Sequence, residues 1–361
     1  MEIHKTLAYT LISTEKGVEE LARTLEKENI IGIDIECENN LHHYGVFITI
    51  IQISTKTKNF IVDIQELVKQ NSDITPLKNV IENENICKIF HDISFDFRVL
   101  SSTLQTVVKN FFDTQIAAAF LNEKDLGLGS LLEKYFDFKK ERKFQMADWT
   151  KRPISRDMLS YAIKDSSYLI SLKELLEKKL REQGKLDFVK EECTFLEKNS
   201  WSLPYQTYEQ FPKFIHLSDV QRGMVKELYL LREIQAKKVN RPIHFIINNK
   251  RIVEIVTKEY TLNDWKNITG VHPIVKSTYK EWFSAQEKGK KEPITIKRIQ
   301  PKRATEIQKK ESLALLKKRD DIAKKHNITP HLLLSKEQIR QIVFEKDTTT
   351  LRTWQKKLLE L

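Results

Sequence analysis

Carboxylates at fixed spacings are the first feature of this sequence that could do chemistry. In IIGIDIEC, Ile30 to Cys37, Asp34 and Glu36 are the charged residues of an otherwise apolar run. In a strand, side chains two apart share a face, and two anions held there away from water are costly without a cation. A divalent ion is the natural compensation, because hard cations such as Mg²⁺ take carboxylate oxygens and keep waters and phosphate oxygens as further ligands. A strand end whose two acids meet Lys or Arg would satisfy the same pattern. In FHDISFDFRVL a strand runs into a helix with Asp92 and Asp96 one turn apart on one face. Asp92 stands where an N-cap carboxylate would serve orphan backbone N–H groups. Asp96 lies one turn further in among Phe95, Phe97 and Val99, which favours it as the ligand. His91 has no second histidine at ligand spacing and is given no role. YAIKDSSYL then puts Tyr161 and Asp165 on one helical face. A phenol beside a metal-bound carboxylate can orient an attacking water, and four acids with a tyrosine could hold two ions about 4 Å apart for phosphodiester hydrolysis. A tyrosine ring in a helix interface and an aspartate in a surface ion pair are the structural alternative.

The elements that must position these groups follow from periodicity. Leu7 to Ser13 reads as a short strand, Glu15 to Lys27 as an amphipathic helix, and Ile30 to Cys37 as a strand buried on both faces. Phe47 to Thr55 and Asn59 to Ile64 are β-branched runs joined by KTK, which predicts a hairpin and an antiparallel start to the sheet. A helix near Pro76 to Asn83 precedes the strand Ile86 to Phe90, and helical periodicity resumes from Ile93 to Ser101. Helices dominate from there to Asn199: Asp113 with Thr114 can cap QIAAAFL, and one long helix is predicted from about Ser155 to Gln183, ending at Gly184.

Length, 361 residues, fits two or three domains. Apolar residues at 40% and charged residues at 31% support packed cores and argue against wholesale disorder. The longest apolar stretch, Val46 to Ile51 and a little beyond, is far short of the roughly 20 residues of a membrane helix, and MEIHKTLAYT lacks a basic-then-apolar leader. No membrane association is expected. Three cysteines, Cys37, Cys87 and Cys193, without CxxC spacing disfavour a disulfide framework or cysteine zinc site and fit a reducing cytoplasm. Charge is segregated: residues 1 to 220 hold 29 Lys and Arg against 34 Asp and Glu, and residues 221 to 361 hold 32 against 16. A basic last third points to a polyanion partner or to a solvated helical surface.

Trp201 to Phe214, with two prolines and little helical periodicity, reads as a linker. Beyond it a faint repeat appears, in which Arg232, Ala236, Asn240 and Pro242 are echoed by Arg319, Ala323, Asn327 and Pro330. Two small helical domains joined by a charged linker, about Lys288 to Lys302, account for it. Trp265, Trp282 and Trp354 fit these domains as core anchors.

With D-x-E in a strand, then H-x-x-x-x-D, then Y-x-x-x-D, the chain resembles the DEDDy 3′–5′ exonucleases, and FFDTQIAAAFL and ADWTKRPIS (Ala147 to Ser155) make it similar to their ribonuclease D branch. The resemblance implies an α/β ribonuclease H-like exonuclease domain, a mixed sheet flanked by helices, over residues 1–205. It also implies two small all-α helicase-and-RNase-D C-terminal (HRDC) domains at 215–290 and 300–361. It further implies that Asp34, Glu36, Asp96 and Asp165 bind two divalent ions, Mg²⁺ or Mn²⁺, with Tyr161 positioning the hydrolytic water. The substrate would be RNA with a free 3′ end, with tRNA precursors and other structured RNAs in view and 5′-mononucleotides as products; no stable protein partner is implied. Two departures stand out. Ile35 and Cys37 replace the Thr and Phe of the usual D-T-E-F, and the first HRDC-like unit has Tyr260-Thr261-Leu262 in place of a proline after its second helix. A basic surface around Lys288 to Arg303 and Lys309 to Arg319 would grip the backbone. A DNA-directed exonuclease on the same scaffold and a non-catalytic RNA-binding protein are the alternatives, separable by sugar contacts and by metal-dependent product.

Overall fold

The computed structural model describes residues 7–139, 143–199, 201–204, 207–296 and 304–361. Short apolar runs build the sheet: β1 (Thr10–Ile12), then helix α1 (Glu15–Leu25), β2 (Ile30–Asn39), β3 (Val46–Ser54) and β4 (Asn59–Val62). Helices α2 (Ile64–Lys69) and α3 (Thr75–Glu82) precede β5 (Cys87–Phe90), α4 (Ile93–Val99) and β6 (Phe111–Asp113). The strand order is β1-β4-β3-β2-β5-β6. β3 and β4 form the predicted antiparallel hairpin with Ile51 opposite Val62, while β1 on β4, β5 on β2 and β6 on β5 are parallel. The mixed sheet flanked by helices therefore matches the expectation from sequence. β2 is not buried on both faces throughout, as the sequence suggested. Ile31 and Ile33 are fully buried, but from Asp34 to Cys37 the strand is half-buried, so its second half opens where the acids begin.

Helices α5 (Thr114–Phe120), α6 (Leu128–Phe136), α7 (Arg156–Ser167), α8 (Leu169–Glu182) and α9 (Leu186–Lys198) complete this layer. The predicted single helix from Ser155 to Gln183 is two: α7, capped by Ser155 through Met158 N, and α8, separated at Tyr168. Tyr168 packs its ring on Phe136 and Phe138, at centroid distances of 5.9 and 4.8 Å, a tertiary contact that local periodicity does not encode.

Contacts divide the chain into two units. The first runs to residue 36, resumes over 48–202 and takes in the chain from 302 onward; the second comprises 37–47 and 203–301. In the second unit α10 (Asp219–Val239), α11 (Ile243–Ile246), α12 (Asn249–Lys258), α13 (Leu262–Lys266), α14 (Pro273–Ser277) and α15 (Tyr279–Lys291) surround the buried, stacked pair Trp265 and Trp282. α10 and α15 touch backbone to backbone: a Cβ on Gly223 would lie 2.3 Å from Gly289 O, and only glycine fits there. Phe211 and Phe214, in the stretch read as a linker, are buried in this core.

Helices α16 (Glu306–Lys325), α17 (Pro330–Leu333), α18 (Lys336–Arg340) and α19 (Thr353–Leu359) belong to the first unit. Trp354 stacks on Phe188 at 4.9 Å and stands edge-on to Phe120 at 5.3 Å, while its indole N–H donates to Glu192 at 3.0 Å. Arg352 pairs with the same Glu192 at 2.8 Å, and the buried Lys185 ammonium donates to Phe120 O and Asn327 O.

The repeat is structural. Asn240 and Asn327 both take left-handed backbone conformations after α10 and α16, with φ of 47° and 50°. Ala236 and Ala323 are fully buried, and each long helix is followed by a proline-led short helix and then a helix capped by Asn248 or Ser335. Arg232 and Arg319 each donate to the carbonyl before that cap, Ile247 O and Leu334 O.

Candidate active site

The acids converge where β2 meets α7. Gly32 makes the approach possible, since a Cβ there would sit 2.7 Å from Ser166 O. Ser54 on β3 fixes the same helix through a buried 2.7 Å bond to Ser166 Oγ. With α7 thus laid on the sheet, carboxylate oxygens of Asp34, Glu36 and Asp165 lie within 4.8 Å of one another. Asp165 is 3% exposed, too buried for the surface ion pair that was the alternative reading. Three oxygen donors of this hardness and spacing suit a divalent cation such as Mg²⁺ or Mn²⁺. The same acids, with His91, Tyr161, Asp125, Glu133 and Lys139, line a cleft of about 630 Å³.

Tyr161 packs in a helix interface, as its structural alternative expected, and also reaches the cleft. Its ring is 7% exposed, packed with Ile50, Trp149 and Leu159 and edge-on to Phe144 at 5.5 Å, and it also lines the cleft beside Asp165. Asp96 is in the first turn of α4. Burial, and then the charges of Asp34, Asp113 and Asp92, hold its carboxyl well above the ordinary carboxylate range. The charge of Asp34 therefore reaches Asp96, but Asp96 is not one of the three acids whose oxygens lie within 4.8 Å of one another and does not line the cleft.

Asp92 does not act as the cap that its position suggested. It is in the left-handed region, φ 62°, and makes no side-chain cap bond. Asp113 takes over: one carboxylate 2% exposed accepts from Asp92 N and Ile93 N at the start of α4 and from Gln115 N and Ile116 N at the start of α5. The sequence pointed to the second of these roles alone. Burial raises the Asp113 carboxyl and its four backbone donors oppose that shift.

Two further residues escaped sequence reasoning. Arg152 grips Asp63 through two bonds of 2.7 Å and donates to Trp149 O, tying the ADWTKRPIS loop to the end of β4 and so setting the start of α7. Asp63 in turn caps α2 through Glu66 N. His91 Nδ1 lies 2.9 Å from Thr114 Oγ1. That hydroxyl donates to Phe90 O, so Nδ1 donates to it, and in the neutral ring Nε2 is the acceptor nitrogen. No sequence signal separated His91 from an ordinary strand-end histidine. Among the described residues no helix is long and apolar enough to cross a membrane.

A family model described as 3′–5′ exonuclease matches residues 9–181, the part of the chain that carries every acid of the cleft. Exosome complex exonuclease RRP6 of Saccharomyces cerevisiae is 28% identical over 272 residues, 70% of this chain and 36% of that protein. Ribonuclease D of Zymomonas mobilis is 28% identical over 261 residues, 71% of this chain and 64% of that protein. The chain thus spans about a third of the length of the first of these relatives and just under two thirds of the second. The crystal structure of Escherichia coli RNase D, an exoribonuclease involved in structured RNA processing, superposes with a TM-score of 0.73 at 20% identity, covering 98% of this chain and 97% of that one, which extends the shared fold through the helical C-terminal region. Motif order, sheet topology and these matches agree: residues 9–181 match the 3′–5′ exonuclease model, and the chain is similar to ribonuclease D and RRP6.

Proposed function

We propose that this chain is a metal-dependent 3′–5′ exoribonuclease that releases 5′-mononucleotides from RNA 3′ ends. The observation that carries the reading is the meeting of Asp34, Glu36 and Asp165 donor atoms within 4.8 Å of one another in a cleft that Tyr161 also lines. In this reading Asp34, Glu36, Asp96 and Asp165 hold two Mg²⁺ or Mn²⁺ ions. Bound there, such ions lower the pKa of a water and stabilise the leaving oxygen of a phosphodiester. Tyr161, held rigid by Phe144 and Trp149, orients the attacking water through its hydroxyl. His91 offers an acceptor nitrogen at the cleft wall, and Lys139 a cation for the scissile strand.

Physiological substrates in this reading are tRNA precursors and other structured RNAs met in the cytoplasm. The relatedness to ribonuclease D supports that choice. The two repeated helical units are proposed as HRDC modules that grip the backbone. Several of the cations first assigned to that grip are neutralised internally: Lys288 pairs with Glu227, Lys290 with Glu287, Lys309 with Glu306 and Arg319 with Asp320. Residues 297–303 of the basic stretch lie outside the described residues.

Matched 3′-tailed RNA and DNA oligonucleotides, each with Mg²⁺, Mn²⁺ or EDTA, test the proposal. A ladder shortening from the 3′ end, releasing 5′-mononucleotides faster from RNA than DNA and silent in EDTA, is expected. Faster loss of the DNA would make the enzyme a deoxyribonuclease, and binding without product would leave a non-catalytic RNA-binding protein.

A further inference from the structure

The second unit holds a cleft of about 660 Å³ that is opposite in character to the first. It is lined by Asn39, Arg232, His244, Asn248, Asn249 and Lys250 among others, and by no acid. Arg232 is 1% exposed, with its guanidinium over the rings of Phe211 and Tyr229. It donates to Ile247 O at 3.2 Å and to Asn249 Oδ1 at 2.6 Å, both neutral acceptors. Its Nε has no hydrogen-bond partner, and Glu233 acts on it through space with no ion pair between them. A buried cation left in this state calls for an anion.

The repeat supplies an internal control. Arg319 braces Leu334 O as Arg232 braces Ile247 O, so that bond is the shared structural role of the two arginines. Arg319 is also neutralised, with Nε and Nη2 on Asp320 at 2.8 and 2.7 Å. The residue after Arg232 is Glu233, which is turned to the hydroxyl of Tyr44 at 3.0 Å. The second copy holds its arginine against an acid in contact, whereas in the first Glu233 acts on Arg232 through space alone. The start of α12, a helix of 10 residues capped by Asn248, adds its backbone N–H groups and partial positive charge to the same cleft.

We infer that this cleft is a subsite for a phosphodiester of the RNA strand, held by Arg232, Lys250 and the asparagine amides. The inference rests on the exoribonuclease reading for the identity of the strand. Phe245, 56% exposed with its ring 4.7 Å from that of His244, offers an aromatic face to an adjoining base.

The test is fluorescence anisotropy of a labelled single-stranded 20-mer RNA with the full chain in EDTA, over a series of salt concentrations. Asn248→Asp keeps a good N-cap while placing a carboxylate in the cleft, Lys250→Ala removes its exposed cation, and Lys276→Ala makes the same change of net charge on α14. The first two are expected to raise Kd about tenfold and to lower the salt slope by about one phosphate contact, the third to change Kd less than twofold. Equal Kd and slope in all three variants would overturn the subsite while leaving hydrolysis untouched. Wild-type protein that binds RNA with this pattern yet never shortens it with Mg²⁺ would remove the hydrolase reading and leave the subsite standing.

Discussion

Two clefts of this molecule, one in each unit, are electrostatic opposites built by different means. In the first unit, acids two apart on β2 and one on α7 are brought within 4.8 Å, with the raised carboxyl of Asp96 in their field. In the second, an arginine 1% exposed faces a wall of asparagines with no acid lining it. The sign of the charge gathered in each names the ligand that it suits: a cation for the first, an anion for the second. An ordinary surface pair such as Arg340 with Glu337 carries no such message, because both charges are already met.

Neutralising one member of the acid cleft should have the largest effect. Asp34→Asn is expected to lower RNA hydrolysis about 1000-fold, roughly 4 kcal/mol of transition-state stabilisation, while RNA affinity in EDTA stays within twofold. Hydrolysis rates set beside anisotropy check both halves, and unchanged turnover would take Asp34 out of the site. Next comes the strap behind that cleft. Arg152→Ala strands the 5%-exposed Asp63 carboxylate and should cost about 3 kcal/mol in denaturant unfolding. A loss under about 1 kcal/mol would mean that the pair is screened like a surface one.

Asp96→Asn should move stability the other way. Burial, reinforced by Asp34, raises the folded carboxyl's pKa, so the unfolded chain gives up that proton more readily and the ionised acid opposes folding near neutral pH. The variant's Tm in EDTA should therefore exceed that of wild type at pH 7, and the gain should shrink as pH falls toward the ordinary carboxylate range. Mg²⁺ should raise the wild-type Tm more than the variant's. The smallest effect is expected in the second copy of the repeat. Asp320 is 55% exposed, so Asp320→Asn should cost less than about 0.5 kcal/mol by thermal melting. A larger loss would make the Arg319 pair structural and weaken its contrast with Arg232.

What was legible in the sequence was whatever is local. Asp34 with Glu36, and Tyr161 with Asp165, could be paired because strand and helix periods fix which side chains share a face. The hairpin between β3 and β4, and Asp113 as cap of α5, needed no more than neighbouring residues. What could not be read depends on partners far along the chain. The cap of α4 comes from Asp113, 20 residues beyond Ile93, so the nearer Asp92 was the better guess from sequence alone. The break at Tyr168 has neither Gly nor Pro to announce it and coincides with the packing of its ring on Phe136, the last residue of α6, and Phe138 just beyond it. Arg232 and Arg319 look alike in the repeat, and the turning of Glu233 toward Tyr44 separates a guanidinium with no contacting carboxylate from a neutralised one.

Asp113 has a consequence for how the first unit opens. One carboxylate starts both α4, which carries Asp96, and α5, so a displacement of the Asp113 side chain frees both first turns together. Hydrogen–deuterium exchange should register this as a shared protection factor: the amides of Ile93 and Ile116, on helices distinct in sequence, should exchange through a single opening event. The turn that presents Asp96 then inherits the slow breathing of the interior instead of the fast fraying of a helix end.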